Sequence, residues 1–142
     1  MNGLRPTILL MALAILCLSD PRATFAQSIQ VRVLDARSGA CVPNEKVSVL
    51  VKGEKNARDY TTDIEGNFSL QIDPSAFIYV ATEWRVTCRH IAHGVVPFVS
   101  VATIMQEGFT DDNTCGRAKS ETVKGKLIIF ARKSSFFENF KR

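Results

Sequence analysis

Histidine and tryptophan are scarce in this chain of 142 residues, which holds two of the first, one of the second and only four cysteines. So few imidazoles leave little from which a conventional general-base or metal-dependent active site could be assembled. Long apolar runs are missing as well. Ile8 to Leu18 spans 11 residues, well short of the about 20 that a helix needs to cross a membrane. There is no G-x-S-x-G elbow, no βαβ spacing, no internal repeat and no low-complexity tract. What remains is a hydrophobic share of 46%, too high for a disordered chain, and a length that allows one ordinary domain.

The apolar run at the N-terminus is preceded by a single charge, Arg5, and followed by Ser19-Asp20-Pro21-Arg22 and Thr24-Phe25-Ala26. Short length, a basic start and small residues at −3 and −1 predict a signal peptide cleaved after Ala26. Cys17 follows Ala14-Ile15-Leu16, with no small residue just before it, so the lipoprotein reading fails; an uncleaved anchor is the remaining alternative. Export predicts a secreted or periplasmic location. The mature chain, residues 27–142, keeps 16 basic and 13 acidic side chains and three cysteines. A domain of that size buries somewhat over 60% of its unfolded surface, enough for one core.

From Ser28 onward the pattern is one of short strands. Ile29, Val31 and Val33 alternate with polar residues, as do Val47, Val49 and Val51, and again Phe68, Leu70 and Ile72, the period-2 mark of half-buried strands. Further strands are predicted near Ala57–Thr62, Phe77–Ala81 and Arg85–Arg89, with turns between them. The expectation is an all-β, antiparallel, Ig-/transthyretin-like sandwich of about seven strands. One short helix is expected near 99–107, ended by Gly108, and a buried strand over Leu127–Ala131. A short C-terminal helix is expected near 135–140, where Ser135 and Glu138 form a capping-box pattern.

The first half also carries a family likeness. Asp35, Gly39, Val42-Pro43-Asn44 and Val47, followed by Thr61-Thr62-Asp63-Ile64-Glu65-Gly66-Asn67-Phe68, resemble the carboxypeptidase regulatory-like domain, with its T-D-x-x-G-x-F element. The likeness covers residues 29–81; residues 83–142 form an extension that completes or decorates the sandwich. It implies a transthyretin-like (prealbumin-type) fold that is normally non-catalytic, in a small secreted bacterial protein. Cys41, where the family has an ordinary turn residue, and Asp73-Pro74-Ser75, where it has a glycine turn, depart from the pattern. In the motif itself Asp63, Gly66 and Phe68 are expected to do turn work, the element reading as a hairpin signal; cation binding by Asp63, Glu65 and Asn67 would need the further ligands of an EF-hand.

Three cysteines in an oxidising compartment suggest one disulfide and one free thiol. Cys88–Cys115 is the favoured pair because it brackets the segment outside the family pattern. Closing a loop of about 28 residues, it would contribute roughly 3–4 kcal/mol. Pairing of Cys41 with either one, or three reduced thiols, are the alternatives; a free Cys41 in an exposed turn could cross-link two copies, so a monomer or weak dimer is expected. His90 and His93, with Cys88, are the only group with metal-ligand chemistry, and no acid nearby completes a site; two solvated loop histidines are the simpler account, and neither a cofactor nor a metal is expected. Asp111 and Asp112 are adjacent and would face opposite sides of a strand, unlike a glycosidase pair. No nucleophile comes with an orienting third group and an oxyanion site, so no catalysis is expected.

Charge is unevenly spread. Residues 117–142 carry eight basic and two acidic side chains, whereas residues 27–116 carry eight and eleven. The end of the chain also holds Phe136, Phe137 and Phe140 among Lys133, Lys141 and Arg142. Such a tail could lie on an anionic membrane or envelope surface; the alternative is that the phenylalanines close the open end of the sandwich. Nucleic acid is not an expected partner, since the chain is exported and lacks a readable binding motif. The resulting expectation is a non-catalytic, exported binding or envelope-associated module for an unknown protein or envelope component. A peripheral membrane protein using the tail is the alternative, and a metal- or cysteine-dependent hydrolase a distant third.

Overall fold

In a computed structural model, residues 27–90 and 95–134 are described. The expected signal peptide over 1–26, the terminal helix near 135–140, His93, and Phe136, Phe137, Phe140, Lys141 and Arg142 lie outside the described residues.

Alternating apolar side chains build most of the strands: β1 (Gln27–Asp35), β2 (Lys46–Val51), β4 (Asn67–Ile72) and β5 (Phe77–Thr82), with β3 (Arg58–Thr61) more exposed. The second half supplies β6 (Arg85–Thr87), β7 (Val99–Ser100), the helix α1 (Val101–Gln106), β8 (Phe109–Thr110) and the long β9 (Lys126–Lys133). Two sheets face each other. One runs β4-β1-β9-β6, with β8 also on β9, and the other β3-β2-β5-β7. Ile29, Val31, Val33, Val47, Val49, Leu70, Ile78, Val80, Leu127 and Ile129 meet between them, with Val101 and Ile104 of α1 closing one side. Burying such a side chain stabilises the fold by about 1.5–3 kcal/mol each. The all-β sandwich is therefore observed, with about nine strands among the described residues rather than seven.

Three details differ from expectation. First, the sheet is not wholly antiparallel: β1 pairs in parallel with β9, Gln30 opposite Lys126 through Asp35 opposite Ala131, and β8 does the same with β9. A parallel pair needs a long connection. Here the connection is the rest of the domain, so no βαβ signal precedes it. The extension accordingly completes the sandwich, because β9 lies between β1 and β6. Second, β3 and β4 do not form a hairpin. β3 pairs with β2 and β4 with β1, so the Thr62–Gly66 turn carries the chain from one sheet to the other. Third, the helix starts at Val101, after Ser100, whose hydroxyl caps Thr103 N–H, while Val99 and Ser100 pair with β5. Gly108 ends it as expected, at φ +85° with its N–H on Ile104 and Thr103 carbonyls.

The apolar run in β9 has a further cause. Leu127, Ile129 and Ala131 face the main core, while Ile128 and Phe130 face away from it into a second, smaller one with Leu34, Ala36 and Cys88. Cys41, Cys115 and Ala118 cover that cluster. The outer face of this sheet is thus sealed by the loop that carries Cys115.

Candidate functional site

The loops of the second half are tied at two successive points. Cys88 and Cys115 form a disulfide, with 5.4 Å between their Cα atoms, consistent with an oxidising compartment. Among the described residues no helix is long and apolar enough to cross a membrane. One residue along, the Arg89 guanidinium donates to the Asp111 carboxylate, from Nε at 2.6 Å and also from Nη2. Both side chains are only 6% exposed. Arg89 also donates to the Pro97 carbonyl and lies over the Tyr79 ring, 5.2 Å from its centroid. Burial pushes the Asp111 carboxyl above its usual range, against the pull of the Arg89 hydrogen bonds and charge. Asn113 donates to the carbonyls of Ala36 and Ala118, which fastens the same loop to β1's end. Gly116 lies against Ala36 so closely that a Cβ there would sit 2.0 Å from the Ala36 carbonyl oxygen. Two clefts flank this staple: one of about 410 Å³ beside Phe77, Phe98, Val99 and His90, and one of about 600 Å³ beside Asn113, Arg117 and Lys119. The buried polar groups between them are already paired with one another. Their chemistry holds loops in place.

The motif residues have structural tasks of the same kind. Asp63 Oδ1 accepts the N–H groups of Glu65 and Asn67, at 2.9 and 2.8 Å. Gly66 has φ +75°, and a Cβ there would stand 2.8 Å from the Val33 carbonyl oxygen, so glycine is required both by conformation and by space. Phe68 stacks on Tyr60 at 4.9 Å. Asp63 thus spends Oδ1 on closing the turn. Cys41 is free, as expected, but it is half-buried rather than on an exposed turn: it bridges to Leu34, and Arg32 Nη2 lies 3.0 Å from its sulfur. His90 is on the exposed rim of the smaller cleft, and among the described residues no group of three metal-ligating side chains occurs.

A third place is built differently. At the end of the sandwich where β2 begins, Glu45 is buried, 3% exposed, and its Oε1 accepts the backbone N–H groups of Trp84 and Arg85 at 3.0 and 3.1 Å. Its Oε2 lies 3.5 Å from Arg85 Nε. Burial raises the Glu45 carboxyl above its ordinary value, opposed by these hydrogen bonds and by Arg85. The carboxylate therefore fixes the main chain of the β5–β6 turn, yet the Trp84 side chain is 57% exposed. Lys46 lies against that ring, its Nζ 5.6 Å from the centroid. Arg85 pairs with Lys133 across β6 and β9, so Ser134 leaves the sheet beside Trp84. Pro43, Asn44, Glu45, Trp84, Arg85, Lys133 and Ser134 together line a cleft of about 450 Å³.

Here the polar groups are not used up. The side chains of Asn44, Trp84 and Ser134 make no hydrogen bond among the described residues, whereas the Arg85 guanidinium is ion-paired with Glu45 and, through the buried Nη1 at 3.5 Å, with Asp35 Oδ2. A large aromatic surface held out to solvent beside unspent donors and acceptors is the usual composition of a ligand site. Sequence reading passed over this cleft because its members lie 40 and 90 residues apart; the one available signal was the rarity of tryptophan. It also missed the Arg89–Asp111 pair, although Arg89 follows Cys88 and Asp111 precedes Cys115 by four, so the expected disulfide already implied their approach.

The chain matches no protein-family model and no curated protein.

Proposed function

We propose that this is an exported, non-catalytic β-sandwich module of the carboxypeptidase regulatory-like kind, which acts at the cell envelope by binding a ligand in the Trp84 cleft. The observation that carries the reading is the pairing of a locked main chain with an open side chain: Glu45 holds the N–H groups of Trp84 and Arg85 while the indole stays 57% exposed. A buried carboxyl is costly to keep, and this one fixes the position of an aromatic that packs into no core. The family part of the reading is supported by the Thr62–Phe68 turn. Thr62 Oγ1 donates to the Val42 carbonyl at 2.7 Å and accepts Glu45 N–H at 2.8 Å, so the T-D-x-x-G-x-F residues lock the first half together.

Hydrogen-exchange footprinting of the full chain with an extract of the source cell envelope tests it. Protection confined to residues 43–46, 83–85 and 133–134 is expected. Protection centred on Phe98, Phe109 or Arg117, or none anywhere, would sink the assignment of the cleft. A second reading, membrane contact through the basic Phe-rich tail, is favoured by one feature: β9 delivers Lys133 and Ser134 beside Trp84.

A further inference from the structure

Resting on the reading of the Trp84 cleft as a ligand site, we propose that its ligand is a pyranose saccharide, neutral or carboxylate-bearing, stacked by its C–H face on the indole of Trp84. Three features of the cleft select that chemistry. The first is the lining. An indole wall stands beside Asn44, Ser134 and Lys133, so a fitting ligand offers one flat apolar face and a rim of hydroxyls. A pyranose ring does so, because its axial C–H bonds gather on a face while its hydroxyls radiate around the edge. An aliphatic chain would leave the polar groups of the lining unpaired as it displaced their water, which is unfavourable.

The second is the charge around the ring. Lys46 already lies against Trp84, and Arg85 and Lys133 line the same cleft. A quaternary ammonium or free amine, the other common guest of an exposed indole, would compete with Lys46 for the ring and then meet Lys133, although Arg85 is ion-paired with Asp35 and Glu45 and Lys46 lies 3.9 Å from Glu83. Neutral and acidic sugars meet no such competition, since Glu45 is turned onto backbone N–H groups and Arg85, and Glu83 is paired with Lys46. The third is shape. The volume of about 450 Å³ lies within the range of small-ligand sites, about 300–1,000 Å³, and the polar lining suits a hydroxyl-bearing ligand better than the acyl chains of a bilayer.

The chain has a single tryptophan, so indole emission reports on this site alone. Titration of the full chain with chitotetraose, maltotetraose and tetragalacturonic acid is expected to shift Trp84 emission for at least one of them, while chitosan tetramer, the free-amine counterpart of the first, binds at least tenfold more weakly than chitotetraose. By calorimetry, Trp84→Ala should weaken the responsive sugar tenfold or more and Trp84→Phe by less, with the circular-dichroism spectrum and thermal midpoint of both close to the parent. Binding undiminished in Trp84→Ala, or silence of all three sugars and of an array of neutral and acidic glycans, would overturn the proposal. So would an emission shift given only by phosphatidylglycerol vesicles and abolished by deleting residues 135–142, which would hand the cleft to lipid. Failure with sugars alongside an envelope footprint at residues 43–46 and 83–85 leaves the binding module standing and removes only the saccharide.

Discussion

The two halves of this domain reach the same end by different means. Residues 27–82 are long alternating strands whose apolar faces meet in one core, and their turns are closed by short polar side chains, Asp35, Asp63 and Asp73, that accept backbone N–H groups two to four residues on. Residues 83–134 hold strands of two and three residues and one long strand. Strands that short offer few ladder bonds, and the segment between Cys88 and Cys115 is held instead by a disulfide, a buried ion pair and an arginine over a tyrosine ring. Periodic burial stabilises the first half everywhere a little. Individual cross-links stabilise the second at a few points a lot, and a single substitution should therefore reach further there.

Arg89→Met is the sharpest way to break that contrast. It leaves Asp111 buried among its neighbours with no counter-charge, and removing one partner of a buried pair typically costs about 3–5 kcal/mol. The loss is expected in urea unfolding at pH 7, with hydrogen exchange accelerated first around Phe109–Cys115. It should shrink toward pH 4, because burial already raises the Asp111 carboxyl and a protonated Asp111 needs no partner. Adding Asp111→Leu to Arg89→Met should recover most of the stability. A loss below about 1 kcal/mol at pH 7 would mean that the pair behaves as a surface contact and that the disulfide alone carries the second half.

The corresponding substitution in the first half is Thr62→Val, and it should hurt less. The hydroxyl makes two buried hydrogen bonds, to Val42 O and from Glu45 N–H, and leaving such partners unsatisfied costs about 1–3 kcal/mol. Thr62→Ser keeps the hydroxyl and should stay near the parent. If Thr62→Val proved the more damaging of the two single variants, the first half would depend on individual links after all.

That contrast also explains what could be read in advance. Strands β1, β2, β4 and β5 were legible because Ile29–Val33, Val47–Val51 and Phe68–Ile72 alternate, and alternation is local. The Cys88–Cys115 pair was legible from chain position and the expected compartment. The parallel pairing of β1 with β9 was not, since no neighbouring residue records which distant strand will lie alongside. Leu127–Ala131 read as buried on both faces, yet its second cover, the Cys115 loop, is set by contacts between residues far apart. The Trp84 cleft escaped for the same reason: Pro43–Glu45, Trp84–Arg85 and Lys133–Ser134 come from three separate parts of the chain. Short-range pattern specifies elements, and sites that assemble from three loops become visible only when the elements are docked.

Glu45 is where the two halves meet, and it permits the finest test. It belongs to the first half by sequence and holds the first turn of the second through Trp84 and Arg85 N–H. Its folded pKa is raised above the ordinary 4.5, burial outweighing the two N–H bonds and the Arg85 charge, with Glu83 adding to the rise. The folded state therefore binds this proton more tightly than the unfolded chain does. The corresponding stability is fully present below about pH 4.5 and is lost as pH rises through the folded pKa. Gln at this position keeps an acceptor for both N–H groups and has no proton to lose. Glu45→Gln should accordingly gain on the parent between pH 4 and pH 7 in urea midpoint, by less than either substitution above. A gap that moves the other way, with the parent gaining as pH rises, would show that the Arg85 guanidinium outweighs burial. Glu45 would then join Arg89–Asp111 as a second ion-pair staple, and the division between a half held by packing and a half held by charge would fall at Val42 rather than at Glu83.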